Sequence, residues 1–348
     1  MWSRRLALML VLVVGFGLPV HVADAQGGVS AAVVWLRTQQ GPDGGFSTGF
    51  SEGSDPGATA DAILAIASAG EDPSTWTAEG ASPLTYLSTN AADVGSPGLA
   101  AKLVLAVVAA GQDPRQFGDL SLVEAVQAGF DPATGWFGGG PYDSALCVLA
   151  LLAVDEPLPA GSIAAIVGAR LPDGSYAFNG DMTPGGGDSN TTALVVQALL
   201  AAGEGAEVSP SFSYFRQSQN ADGGWTYQKP SAFGEDTDAN STALVIQALL
   251  AGGQNLSEWG HPTRALEALQ QLGGAFGFNA AIPGDNFLAT VQAIPALAGV
   301  DLTDVPRLPA AFASPGVSSQ SLLITVLLII AAVLAASAIL GGSKGSQK

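Results

Sequence analysis

The chain of 348 residues contains one cysteine, Cys147, and two histidines, His21 and His261. A single thiol excludes an intrachain disulfide and a cysteine cluster for zinc. Cys147 lies in the apolar run SALCVLALLA, where a buried, unreactive thiol is expected. His261 precedes Pro262 at the start of a short helical segment, a cap or surface position, and His21 falls near the N-terminus. No metal set and no cofactor fingerprint is expected from these residues. Positive charge is equally scarce. Lys and Arg number 12 against 30 Asp and Glu, a net charge of −18. A surface of that sign repels nucleic acid and anionic headgroups, so nucleic acid is excluded as a partner.

Long apolar runs are confined to the two ends. Arg4 and Arg5 precede the run Leu6–Leu18, and Ala23-Asp24-Ala25 forms a small-x-small site before Gln26, the three parts of a secretory signal over residues 1–25. Leu322–Leu340 carries no charge and is long enough to cross a hydrocarbon core of about 30 Å. The tail GGSKGSQK, with two lysines, fits a cytoplasmic flank. The expected plan is a domain over 26–300, a Pro/Ser/Ala-rich stalk over 301–320, a transmembrane helix over 321–340 and a cytoplasmic tail over 341–348. This predicts a single-pass cell-membrane protein with a large extracellular domain.

Between the ends, one segment recurs. Residues 214–250 read YFRQSQNADGGWTYQKPSAFGEDTDANSTALVIQALL, and 35–67 and 171–201 follow the same plan. A short amphipathic helix runs into a Gly-aromatic turn, and a polar stretch with an Asp or Asn cap opens a second, apolar helix. Starts of the second helices fall near Asp55, Ser96, Asp143, Asp188, Asp238 and Asp285, a period of roughly 40–50 residues that suits helical-pair repeats. The second helices are apolar nearly all round, as helices buried on every side are. The first helices, among them WLRTQQ, LVEAVQAG and YFRQSQN, are more amphipathic. Buried and half-buried helices in alternation predict an all-α inner ring inside an outer ring, an (α/α)6 toroid. An open solenoid is the alternative.

Trp35, Gln39, Gly44 and Phe46, with Phe215, Gln219, Gly223 and Trp225, resemble the QW repeat of squalene–hopene cyclases and their prenyltransferase relatives. The resemblance extends over residues 29–299. It implies the toroid, with each glutamine amide paired to the aromatic ring and tying neighbouring helices. It also implies a place for chemistry, because cyclases of this group protonate substrate from a DxDD motif. The nearest match is Glu235-Asp236-Thr237-Asp238-Ala239-Asn240, which makes Asp236 and Asp238 the catalytic candidates. Ala239 and Asn240 depart from the motif, and Asp238 and Asn240 also read as N-caps of the following helix. Aromatics make up 7% of the chain, few for shielding carbocations. The zinc site of protein prenyltransferases has no counterpart, and neither has the reactive Cys–Gln pair of complement-like thioester domains. Asn190-Thr191-Thr192-Ala193 and Asn240-Ser241-Thr242-Ala243 are similar to helix starts of cobalamin carriers.

Six inner helices running parallel would bring six N-termini, with their free N–H groups and partial positive charge, to one mouth. Asp55, Asp143, Asp188, Asn190, Asp238, Asn240, Asp285 and Asn286 are the ligand-binding candidates there. The reading they support is a surface-anchored toroid binding a small molecule (cobalamin-like or isoprenoid-like) or a surface protein. An enzyme of terpene cyclase or glycan-cleaving type and an interaction scaffold are the alternatives.

Overall fold

The structure is a computed structural model describing residues 20–307 apart from 50–51, 92–93, 233 and 306, with side chains from Gly27 onward. The expected transmembrane segment and most of the signal peptide lie outside these residues. No helix among the described residues is long and apolar enough to cross a membrane. Helix α1 begins at Val20, so the expected cleavage site falls inside its first turns.

Helices alternate strictly between two rings. The inner ring consists of α2 (Pro56–Ser68), α4 (Pro97–Ala109), α6 (Pro141–Ala153), α8 (Ser189–Ala201), α10 (Ala239–Ala251) and α12 (Phe287–Ala298). The outer ring consists of α1 (Val20–Arg37), α3 (Pro83–Asn90), α5 (Leu122–Ala128), α7 (Ser162–Gly168), α9 (Ser209–Ser218) and α11 (Pro262–Glu267). Each inner helix packs on the one before and the one after, and α12 packs on α2, so the ring is closed. Every outer helix lies mainly over the inner helix of the preceding pair, and for α1 that helix is α12. The first helix of the chain thus covers the last. Trp35 Nε1 donates to Asp285 Oδ2 at 3.0 Å, and Gln270 Nε2 donates to the Gly28 carbonyl at 2.7 Å across the same seam. The open solenoid is excluded.

The corner between outer and inner helix is built the same way in most pairs. In the pair containing α9 and α10, Gln219 Nε2 donates to the carbonyls of Gly223 (2.8 Å) and Trp259 (2.7 Å). Gln40 does so to Gly44 and Trp76, and Gln270 to Gly274 and Gly28. In the fourth pair Arg170 takes the place, reaching the Glu207 carbonyl. Two expectations are corrected here. The first corner uses Gln40 rather than Gln39, because α1 ends at Arg37 and leaves Gln39 exposed, donating to Thr38 Oγ1. The glutamine amides also bind backbone carbonyls and not the aromatic rings, since the carbonyls of the turn and of the next corner lie nearer. Trp225 Nε1 instead donates to the Phe215 carbonyl.

In five of the six pairs an aromatic follows the corner and is fully buried: Phe46, Phe137, Tyr176, Trp225 and Phe276. Its backbone N–H donates to a hydroxyl in the first turns of the inner helix: Thr59, Ser144, Thr192, Thr242 and Thr290 respectively, all at 2.8–3.0 Å. In five of the six pairs one hydroxyl thereby aims the turn at the same end of the ring. The third pair departs slightly from the all-α plan. Its corner is a two-stranded antiparallel ribbon, Phe130–Asp131 with Trp136–Phe137.

After α12 the chain turns back over the C-terminal ends of the inner helices. Residues 301–305 and 307, the described part of the expected stalk, form a strap. Leu302 N donates to Gln197 Oε1 at 2.8 Å, Val305 is buried, and Arg307 Nη2 donates to the Ala153 carbonyl.

Candidate functional site

The parallel inner helices do bring their N-termini to one mouth, and most of the predicted residues there act within the fold. Asp55 caps α2 through Ala58 N at 2.7 Å, and Asn286 caps α12 through Ala289 N at 2.9 Å. Asp285, one residue before that cap, holds Trp35. Helix α6 begins earlier than expected, with Gly140 at its N-cap, so Asp143 lies in its first turn and accepts from Gly139 N at 3.1 Å.

Asp188 and Asp238 form a matched pair. Each is buried, and each accepts from a backbone N–H at 2.7 Å and a hydroxyl at 2.8 Å, those of Thr191 and Ser241. Burial pushes both carboxyls up to about 6, against the lowering effect of these hydrogen bonds. Tyr227 lies near Asp188, and burial together with that carboxylate pushes the phenol up to about 12. Asp236 is exposed on the preceding loop. Asn190 and Asn240 occupy equivalent positions, two residues past their caps. Asn240 Nδ2 donates to Gln292 Oε1 at 2.9 Å, whereas the buried Oδ1 of Asn190 has no partner. Around the mouth, Phe178, Met182 and Tyr227 expose about half of their surface. Phe178 and Tyr227 are held there because their carbonyls accept from Tyr142 N and Ser189 N at the helix starts.

Below the mouth, the lumen is organised in levels set by helix register. Two residues past the cap, α6, α8 and α10 carry Tyr142, Asn190 and Asn240. Six residues past the cap, the inner helices in order carry Asp61, Lys102, Leu146, Leu194, Leu244 and Gln292. One turn deeper stand Leu64, Leu105, Gln247 and Pro295. A cavity of about 70 Å³ occupies these lower two levels, with Tyr142 above and Leu302 of the strap below. The middle level is two-sided. Gln292, Asp61 and Lys102 come from the adjacent helices α12, α2 and α4, and the three leucines face them from α6, α8 and α10.

The polar side centres on an ion pair, Lys102 Nζ to Asp61 Oδ2 at 3.0 Å. Burial pulls the lysine down, but Asp61 more than offsets it and holds the ammonium above its ordinary range, with Tyr142 and Asp55 adding to the effect. Burial pushes Asp61 up and Lys102 opposes it. The lysine is therefore firmly charged, with the carboxylate as its counter-ion. Gln247 is 3% exposed, and its amide makes no hydrogen bond among the described residues. Its equivalent Gln197 is fully used, donating to Ala193 O and accepting from the strap.

Asp61, Lys102, Tyr142, Gln247 and Gln292 were not singled out from the sequence. The available signal was an Asp and a Lys at matching positions of two otherwise apolar second helices. Among the described residues no cluster of three His, Cys, Asp or Glu side chains suits a metal ion.

Fold and lumen together define an α/α toroid. No protein-family model matches the sequence, and no curated protein matches it. Solved structures do share the fold. One is the apo type II terpene cyclase MstE from Scytonema, with a TM-score of 0.59 and 14% identity, covering 83% of this chain and 100% of that one. An unsaturated glucuronyl hydrolase specific for heparin gives 0.58 at 11% identity over 83% and 99% of the two chains. The GH76A alpha-1,6-mannanase from Salegentibacter gives 0.55 at 10% identity over 79% and 98%. At these identities the likeness is one of fold.

Proposed function

We propose that the protein is a membrane-tethered extracellular binding module that admits a small ligand at the inner-helix N-terminal mouth and holds it in the lumen. The observation that carries this reading is the cluster of polar groups lining an otherwise hydrocarbon cavity, above all Gln247, whose amide makes no hydrogen bond among the described residues. An amide that faces a small cavity and makes no hydrogen bond within the fold is left to be satisfied by what enters that cavity. The exposed Phe178, Met182 and Tyr227 give an apolar approach to the mouth. The corners at Gln40, Gln219 and Gln270 support a finer kinship with the squalene–hopene cyclase group.

Binding is favoured over bond cleavage by the inventory of the lumen. Glycoside hydrolysis uses two carboxyl groups flanking the bond, about 5–9.5 Å apart. The cavity lining has one carboxylate, Asp61, already paired with a lysine. Alkene protonation needs an acid facing the substrate, and both oxygens of Asp238 are occupied by Ser241. A native mass spectrum of protein purified from its own membranes should show a retained small molecule, released on unfolding. A spectrum with bare protein alone, together with no lumen ligand in a broad small-molecule screen, would overturn the binding reading. Protease treatment of intact cells should release a fragment close to the full domain, and protection of the domain would overturn the extracellular placement.

A further inference from the structure

We infer that the lumen selects an uncharged ligand head group, one with a hydrogen-bonding edge turned to α12, α2 and α4 and hydrocarbon turned to α6, α8 and α10. The inference rests on the binding reading above and adds the chemical class of the ligand.

The geometry supplies three reasons. First, Asp61 and Lys102 neutralise each other at 3.0 Å inside the ring. An anion would compete with Asp61 for the ammonium, and a cation would compete with Lys102 for the carboxylate. Separating a pair that is mostly withdrawn from water leaves one charge uncompensated, a penalty that the lumen's hydrocarbon walls increase. An uncharged group meets no such penalty. Second, the remaining hydrogen-bonding capacity on that wall is mixed. Lys102 has protons beyond the one given to Asp61, and Asp61 Oδ1 is free. Gln292 accepts from Asn240 through Oε1 and keeps its NH2, and Gln247 keeps its whole amide. Alcohols and primary amides both donate and accept, and they match this wall. Third, Leu146, Leu194 and Leu244 stand at the same level on the opposite wall, so the rest of the head group must be hydrocarbon. A cavity of about 70 Å³ admits only a compact group, and a larger ligand would extend past Tyr142 toward Phe178.

Gln247 is the specificity-determining residue in this arrangement. Its position is equivalent to Gln197, whose amide the fold uses for α8 and the strap. Gln247 has no such structural employment, so its role is toward what enters the cavity.

The test is a head-group series on one small branched alkyl group: isopropanol, isobutyramide, isobutyrate and isopropylammonium. Each is titrated into the full-length protein by calorimetry, with the thermal midpoint as a second readout. The alcohol and the amide should bind and raise the midpoint, and both ions should bind at least tenfold more weakly. Gln247→Leu should leave the midpoint of the free protein unchanged or higher while weakening the alcohol and the amide severalfold. The double variant Asp61→Leu with Lys102→Leu should keep hydrocarbon affinity and bind the alcohol and the amide more weakly, because the polar wall that they match is gone. Equal or tighter binding of either ion, no binding by any member of the series, or an unchanged alcohol affinity in Gln247→Leu would overturn the inference. A retained native ligand that proves to be charged would also overturn it while leaving the binding reading intact.

Discussion

At the scale of single residues, the polar groups of the mouth divide by what already occupies them. Asp188 and Asp238 were legible as caps, because an Asp or Asn before an apolar run is the ordinary way to satisfy the first N–H groups of a helix. Their burial was not legible, since it comes from corner loops of neighbouring pairs folding over them. That burial has a measurable consequence. Their folded values of about 6 stand above the ordinary 3.8, so the folded state binds protons more tightly than the unfolded chain. Stability from these groups therefore rises as pH falls through 6, is complete below 3.8 and is lost again as pH rises. Each group should contribute on the order of 1–3 kcal/mol across that window. Urea midpoints at pH 7.5 and 4.5 should show the gain in the native protein, on top of the opposite trend from exposed carboxylates. The double variant Asp188→Asn with Asp238→Asn should remove that gain while keeping the caps, because Asn accepts the same N–H. An unaltered pH profile in the double variant would mean that the two carboxyls are ionised throughout. Asp61 and Lys102 escaped the sequence reading for a different reason. Their helices were read as apolar all round, and one charge in each of α2 and α4 gains meaning only when register sets them at one level of a closed ring.

At the scale of elements, the sequence spoke most clearly where backbone geometry leaves little choice. The Gly-aromatic corners were visible in WLRTQQGPDGGF and FRQSQNADGGW because the turn needs a positive φ, and helix type followed from the contrast between apolar and amphipathic runs. Less visible was the register of the first corner, where two adjacent glutamines compete and only the end of α1 decides for Gln40. Gly223 shows how strict the corner is. Its φ is 96°, and a Cβ there would lie 2.5 Å from the Gly260 carbonyl oxygen, so a side chain would push the next corner away as well as strain its own backbone. Gly203 ends α8 with a similar φ of 82° but has open space around it. Gly203→Ala should cost about 1 kcal/mol, the left-handed penalty alone. Gly223→Ala should cost clearly more, about 3 kcal/mol or above, because steric displacement of a neighbour adds to the strain. Denaturant unfolding of the two variants measures the difference. Equal costs would show that the corners yield easily and do not set the spacing of the pairs.

At the scale of the whole ring, closure and plugging are separate events in the chain. Closure is made by α12 against α2, with α1 laid over α12 and the Trp35–Asp285 and Gln270–Gly28 bonds across the seam. Plugging is made afterwards by the strap. Composition concealed it, since a stretch rich in Pro, Ser and Ala reads as linker, and the side chains that anchor it, Leu302, Val305 and Arg307, are too few to form a pattern. Beyond Leu302, on the outer side of the lumen, a second cavity of about 220 Å³ lies between the strap and the ends of α6 and α8, bounded by Leu149, Leu152, Ala201 and Arg307. Leu302 is the one residue that lines both cavities. It is the partition between the lumen and the C-terminal side of the ring, and the strap around it is sparsely packed. Leu302→Ala should join the two spaces. The stability cost should be modest, about 2 kcal/mol, at the low end for a leucine truncation because the side chain is only partly buried. Hydrogen exchange at residues 301–305 should quicken by a factor larger than the global loss of stability explains, since the strap loses its main anchor while the ring keeps all of its own. A small probe should then enter and leave the lumen faster in the variant, from the C-terminal side as well as from the mouth. If strap exchange merely follows global unfolding, or if probe exchange is unchanged, Leu302 is not a plug and the lumen communicates with solvent through the mouth alone.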